Sequence, residues 1–163
     1  MTPAIVNRLP LRKILSLSFI AAAVFAVAAL PQSASAQSKI SGAGISKVGR
    51  DTRKLTISAS GGTSATGMIQ FIHNSPAGLS RFRSQVTCVS VNGGSIQVTG
   101  TIDKGETATG ALLDGKAFGF TINTSSSPQT FSLPNFGEIS AIAPCGGGRG
   151  DSVPVTEDGF KLQ

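Results

Sequence analysis

The chain has 163 residues, with 14 basic against 8 acidic side chains, a single His, two Cys, nine Phe and neither Trp nor Tyr. One His beside two cysteines leaves too few ligands for a zinc centre, and the absence of Trp and Tyr weakens a nucleic-acid reading, since stacking platforms need exposed aromatics. Three of the basic residues fall in the first 36 positions, so residues 37–163 carry eleven against eight, a net charge of +3.

Residues 1–36 hold Arg8, Arg12 and Lys13, then an apolar run from Ile14 to Leu30, then Pro31 and the small-residue end Ala34, Ser35, Ala36. Basic, apolar and small-residue regions in that order spell a helical secretory signal peptide cut between Ala36 and Gln37. Its removal leaves no apolar run long enough to span a bilayer and places the product in the periplasm or outside the cell. The remaining residues, 37–163, suffice for one domain, which buries roughly two-thirds of its unfolded surface.

Within that domain the expected elements are short strands. Ser41 to Lys47 is a thin, Gly-containing edge strand. Leu55, Ile57 and Ala59 alternate with Lys54, Thr56 and Ser58, the period of two of a half-buried strand. Gly67 to His73 carries apolar residues on both faces and reads as a strand covered on both sides. A turn at Asn74 to Gly78 leads to Leu79–Ser84, where Arg81 and Arg83 alternate with Phe82.

Val86 to Asp103 reads as a hairpin, with Thr87, Val89 and Val91 on one face and Val86, Cys88 and Ser90 on the other, returning through Ile96, Val98 and Ile102. A two-residue turn, Asn92–Gly93 or Gly93–Gly94, sets Val89 opposite Ile96 or Val98 and calls for positive φ at Gly93. A polar connection from Lys104 to Gly110 and a tight turn at Asp114–Gly115 precede a strand with Phe118, Phe120 and Ile122 on one face. Thr130–Leu133 and Glu138–Ala143 are short strands, Pro144–Ser152 is irregular and Gly-dense, and Val153–Leu162 is a final strand. No window sustains a period of 3.6, so the expected fold is all-β: a single β-sandwich or small antiparallel β-barrel of about eight strands.

Cys88 and Cys145 are an even pair delivered to an oxidising compartment, which predicts a disulfide. Since Cys88 points away from the face carrying Val89 and Val91, the bond is expected to fasten the region of Cys145 across the other face of the hairpin.

The runs VTCVSVNGGSIQVTGTI (Val86–Ile102) and KAFGFTIN (Lys116–Asn123), the APC at Cys145 and the closing PVTEDGFKLQ together resemble a family of secreted bacterial β-domains, the post-COAP domain. The chain departs from its pattern at Gly94 and lacks the Asp-Asn-Gly-Glu-Pro turn after the aromatic strand. The resemblance implies a β-domain with this cysteine pair and carries no activity.

No constellation for catalysis emerges. His73, at a strand end beside a turn, fits a structural hydrogen-bonding role, and no nucleophile-elbow motif accompanies it for a hydrolase. Asp151, Glu157 and Asp158 lack the spacing of a calcium loop. Asp103, Glu106 and Asp114 include a conceivable glycosidase pair, but an exposed β-surface ordinarily carries that many acids. Neither a cofactor nor a metal is implied. Arg149, Gly150, Asp151 and Ser152 spell a tetrapeptide resembling the integrin-binding loop of adhesion proteins, although three specified residues also coincide by chance in about a few chains per hundred of this length.

The cations cluster early. Lys39, Lys47, Arg50, Arg53, Lys54, Arg81 and Arg83 stand against Asp51 alone before residue 84. That asymmetry suits either opposite charges meeting across the fold or a patch for an anionic envelope polymer. The function expected is a non-catalytic exported β-domain with a structural or binding role, its partner such a polymer or another surface protein and not nucleic acid. A subunit of a surface fibre or adhesin is the alternative, ahead of a small secreted hydrolase.

Overall fold

A computed structural model describes residues 38–148 and 150–163. The leader, its Ala36–Gln37 junction and Arg149 lie outside the described residues. Ten strands follow in order: β1 (Ser38–Val48), β2 (Asp51–Gly61), β3 (Thr66–Ser75), β4 (Gly78–Asn92), β5 (Ser95–Glu106), β6 (Ala117–Asn123), β7 (Thr130–Ser132), β8 (Asn135–Gly137), β9 (Ser152–Pro154) and β10 (Glu157–Leu162). They make one antiparallel sheet in the order β10-β1-β2-β3-β4-β5-β6-β7-β9, with β8 also on β6. The chain is all-β, with ten strands where about eight were expected, in one strongly curled half-barrel sheet.

The curl follows from the connection at the end of the chain. β9 and β10 are at opposite ends of the strand order, yet only Val155 and Thr156 separate them. Two residues reach across no more than about 10 Å, so the two edges must approach each other there. Val155 N donates to the Gln129 carbonyl at 2.8 Å and Thr156 N to that of Ile45 at 2.7 Å, tying the link to both sides. Gln129 adds a latch: its Nε2 donates to the Phe160 carbonyl at 3.0 Å, and its Oε1 accepts from Phe160 N at 2.7 Å. One side-chain amide thereby satisfies a backbone donor and acceptor that an edge strand would otherwise leave open.

The concave side holds the core. Ile40, Leu55, Ile57, Ile69, Ile96, Val98, Phe118, Phe120 and Phe131 are almost fully buried there. Phe82 is its hub, with ring centroids 5.3 to 6.0 Å from those of Phe71, Phe118, Phe120 and Phe136. Aromatic pairs at these separations contribute beyond the area they bury.

The hairpin turn is Gly93–Gly94: Asn92 faces Ser95, Val89 faces Val98, and Gly93 has φ 60°. Its alternation differs from expectation. A bulge between Val86 and Cys88 leaves Thr87 unpaired, so Val86 and Val89 both enter the core while Cys88 points out. An extra residue reverses the parity of everything beyond it, which a strict period of two cannot show. The expected strands 79–84 and 86–91 are one strand, β4, carried through by this bulge and another between Arg83 and Ser84.

Other elements also depart from expectation. β1 is not a thin edge but eleven residues paired with both β2 and β10. Its glycines make room rather than break the strand, since a Cβ on Gly44 would come within 2.6 Å of the Phe160 ring. β3 is bare on its outer face, where Met68 is half exposed. Residues 138–143 form no strand: Ile139–Ala141 make one 3-10 turn, closed by Ala141 N donating to the Glu138 carbonyl at 2.8 Å, while Ile142 is buried. Lys104–Glu106 belong to β5, and the final strand is broken at Val155–Thr156 into β9 and β10.

Candidate binding site on the outer face

Register builds the site from three neighbouring strands. Gln70 of β3 faces Arg83 of β4, and Arg83 faces Lys104 of β5. All three are exposed on the convex side, because Ile69, Phe71 and Phe82 take the alternate positions toward the core. The parallel row beside it runs Lys54, Ile72, Arg81, Glu106. Two rows thus set Lys54, Arg81, Arg83 and Lys104 in a track over four strands, about 14 Å along the sheet at the usual strand spacing.

A cleft of about 460 Å³ lies along the β3–β5 part of the track, with Arg81, Arg83, Lys104 and Glu106 on its walls and Leu112 on its rim, while Lys54 lies outside it. Its floor is Phe82 with Gly105, which face each other in register. Gly105 is dictated by that packing, since a Cβ there would overlap the Phe82 side chain. The β5–β6 connection supplies the far wall. It is held by Asp114, whose Oδ1 accepts from Gly105 N at 2.8 Å, and by a turn in which Lys116 N donates to the Leu113 carbonyl at 3.1 Å. Leu112 is 71% exposed, an apolar edge on an otherwise charged cleft.

The charges are unevenly satisfied. Four ion pairs occur among the described residues: Lys47–Glu157, Arg53–Asp51, Arg81–Glu106 and Lys116–Glu138. Two of them join early cations to late acids, so part of the sequence asymmetry does cancel across the fold. Arg83 and Lys104 belong to none of these pairs, although they stand directly opposite each other. Like charges in that relation destabilise a sheet unless an anion lies between them.

The residues singled out in sequence fall in several places. Cys88 and Cys145 meet on the outer face with Cα atoms 5.1 Å apart, within the span of a disulfide. Gly150, Asp151 and Ser152 are exposed at the start of β9. Glu106 is engaged by Arg81 and Asp114 by a backbone N–H, while Asp103 is the extra residue of a bulge. Glu157 is paired with Lys47, and among the described residues no three His, Cys, Asp or Glu gather to hold a metal ion. His73 lies 3.4 Å from Asp51 through Nε2 without forming a hydrogen bond, unlike the structural role expected of it. No helix of the described residues is long and apolar enough to cross a membrane.

No family model matches the chain, and no curated protein or solved structure matches it. The cleft gathers two facing cations, the Arg81–Glu106 ion pair, Gln70 and Asp114, a lining that can take up anionic groups. Sequence reasoning found the cations but not their convergence. Arg83 and Lys104 are 21 positions apart and meet only through a register that two bulges adjust.

Proposed function

We propose that this chain is an exported, non-catalytic β-domain that binds an anionic polymer of the cell envelope along the Lys54–Arg81–Arg83–Lys104 track. In this reading the leader is removed after Ala36, the Cys88–Cys145 disulfide forms in an oxidising compartment, and the curled sheet, latched by Gln129, completes a small barrel. The resemblance to post-COAP domains belongs to the same proposal. The observation that carries it is the facing pair Arg83 and Lys104, two cations in an open cleft that belong to no ion pair among the described residues, although Glu106 and Asp114 also line the cleft. A polymer fits better than a lone anion because the track outruns any single small ligand.

The fibre alternative asks for a long open sheet edge. Here β9 has three residues ending in Pro154, and Phe160 of β10 is already bonded by Gln129. Hydrolysis asks for a nucleophile hydrogen-bonded to a base, whereas His73 Nε2 has no hydrogen-bond partner among the described residues.

The test is binding of the exported protein to surfaces coated with lipopolysaccharide or lipoteichoic acid across a salt series. Affinity for one of them falls steeply with salt, and Arg83→Ala with Lys104→Ala lowers it at least tenfold. Lys39→Ala with Lys161→Ala, which removes equal charge on β1 and β10, leaves it within twofold. Equal losses for the two pairs, or equally tight binding to duplex DNA, would reduce the track to unspecific charge.

A further inference from the structure

The concave side carries a second cavity that the cleft does not explain. It is small, about 180 Å³, and lies where the inner face of β3 and β4 meets the β7–β8 segment. Phe71, Phe82, Phe136, Leu113 and Leu133 give it an apolar body, and His73 with Ser80 gives it a polar corner, with Thr107 also on the lining. Those two residues face each other in register, on the core-facing side of the sheet.

A polar row runs behind that corner. Ser46 of β1 faces Arg53 of β2, and Arg53 faces His73 of β3. Arg53 is bound to Asp51 at 2.7 Å, and the same Asp51 Oδ2 lies 3.4 Å from His73 Nε2. Ser46 Oγ, Arg53 Nε and His73 Nε2 are buried without hydrogen-bond partners, a concentration of unsatisfied polar atoms that is unusual in a folded domain.

We infer that this cavity binds a small neutral aromatic or branched alcohol, of about six to nine non-hydrogen atoms by its volume. Three phenyl rings and two leucines set the apolar body of the ligand. Neutrality follows from the corner itself: Arg53 and Asp51 cancel each other, so an ion entering would lose its water with no net charge to replace it. The hydroxyl follows from the free valences. An imidazole carrying one proton keeps one ring nitrogen as an acceptor, and His73 Nε2 has no hydrogen-bond partner within the described residues. Ser80 Oγ already accepts from Ala108 N, leaving its own O–H to donate. A ligand hydroxyl meets both demands, giving a proton to His73 and taking one from Ser80. Its occupancy would fix the His73 ring and anchor the β7–β8 segment by Leu133 and Phe136.

The probes are p-cresol, toluene and benzoate, titrated into the isotope-labelled exported protein and followed by two-dimensional amide NMR. Saturable shifts for p-cresol at Phe71, His73, Ser80 and Phe136 are expected, with toluene binding about tenfold more weakly for want of the hydroxyl. Benzoate binds more weakly than p-cresol. His73→Phe should bring p-cresol down to the level of toluene while leaving toluene bound, and Ser80→Ala should do so in part, which keeps the contrast readable if the first variant folds poorly. Equal affinity for p-cresol and toluene, tighter binding of benzoate, or shifts mapping to the outer cleft would each overturn the assignment. Because the cavity and the cleft share only Phe82 among their lining residues, failure here leaves the polymer reading standing.

Discussion

Over β5 and β6 the outer face of the sheet is roofed by residues 143–148, whereas over β3 to β5 the same face lies bare beneath Arg81, Arg83 and Lys104. The roof fits because it has almost no side chains. A Cβ on Gly119 of β6 would meet the Gly147 carbonyl oxygen at 2.8 Å, and the glycines at 147 and 148 press on Thr121 and Ser132. Threonine hydroxyls replace the water the backbone would otherwise seek: Cys145 N donates to Thr99 Oγ1 at 3.2 Å and Gly148 N to Thr121 Oγ1 at 3.0 Å. Cys145 sits at φ 55°, a left-handed conformation that costs a non-glycine residue about 1 kcal/mol and is held by its contact with Cys88. Long side chains thus leave a sheet face open for a ligand, whereas glycine beside short hydroxyls lets the protein's own chain close it.

The severest test of this contrast is to remove the sulfur link from the roof. Cys88 and Cys145 are separated by 57 positions, and closing such a loop stabilises by about 4 kcal/mol in the chain-entropy account. Replacing both with Ser should lower the melting midpoint by roughly 10 to 20 °C in a domain of this size. Differential scanning calorimetry, with thiol titration of the parent protein, checks it; an unchanged midpoint or two titratable thiols would mean that the roof is held by its hydrogen bonds alone.

A smaller perturbation asks whether closeness itself matters. Gly119→Ala forces a methyl group between β6 and the roof and should cost about 1–3 kcal/mol by overpacking. The informative measurement is a double-mutant cycle: with both cysteines replaced, the roof is free to lift and the cost of the alanine should shrink. Strict additivity would show that residues 143–148 leave the sheet only on global unfolding.

Part of this architecture is legible from residue order alone. Asn92, Gly93 and Gly94 narrow the turn to two registers, of which the structure takes Gly93–Gly94, and the direction of Cys88 away from Val89 places the region of Cys145 on the face opposite Val89. The bulge at Thr87 is not legible, because nothing in Val86–Thr87–Cys88 distinguishes an extra residue from ordinary alternation. The two facing cations escape notice for the same reason, since their meeting depends on register adjusted by bulges. Gly42 and Gly44 mislead in the opposite direction: glycine in a strand reads as a break until the Phe160 ring above it is known. The row Ser46–Arg53–His73–Ser80 spans four strands, so each member looks like an isolated polar residue in its own segment.

The seam offers a third site, outside both regions. Gln129→Ala removes two hydrogen bonds to Phe160 and should cost about 1–2 kcal/mol. If the roof alone held the curled sheet together, this substitution would leave the urea midpoint where it was. Amide hydrogen exchange localises the effect: faster exchange confined to β10 and its β1 partners marks a seam that opens by itself, whereas faster exchange throughout marks one cooperative unit.

The bare region should respond least in stability. Arg83 and Lys104 are exposed, make none of the ion pairs among the described residues, and repel each other. Replacing both with Ala therefore shifts stability by no more than about 0.5 kcal/mol, and relief of the repulsion favours a small gain. The equivalent change at the Arg81–Glu106 pair, whose side chains are 63% and 41% exposed, should be as slight in the other direction. Chemical denaturation of the two variants side by side resolves the sign. A loss above about 1 kcal/mol from Arg83→Ala with Lys104→Ala would show that the cations brace the sheet, and the cleft would then be a structural feature rather than a place kept open for an anion.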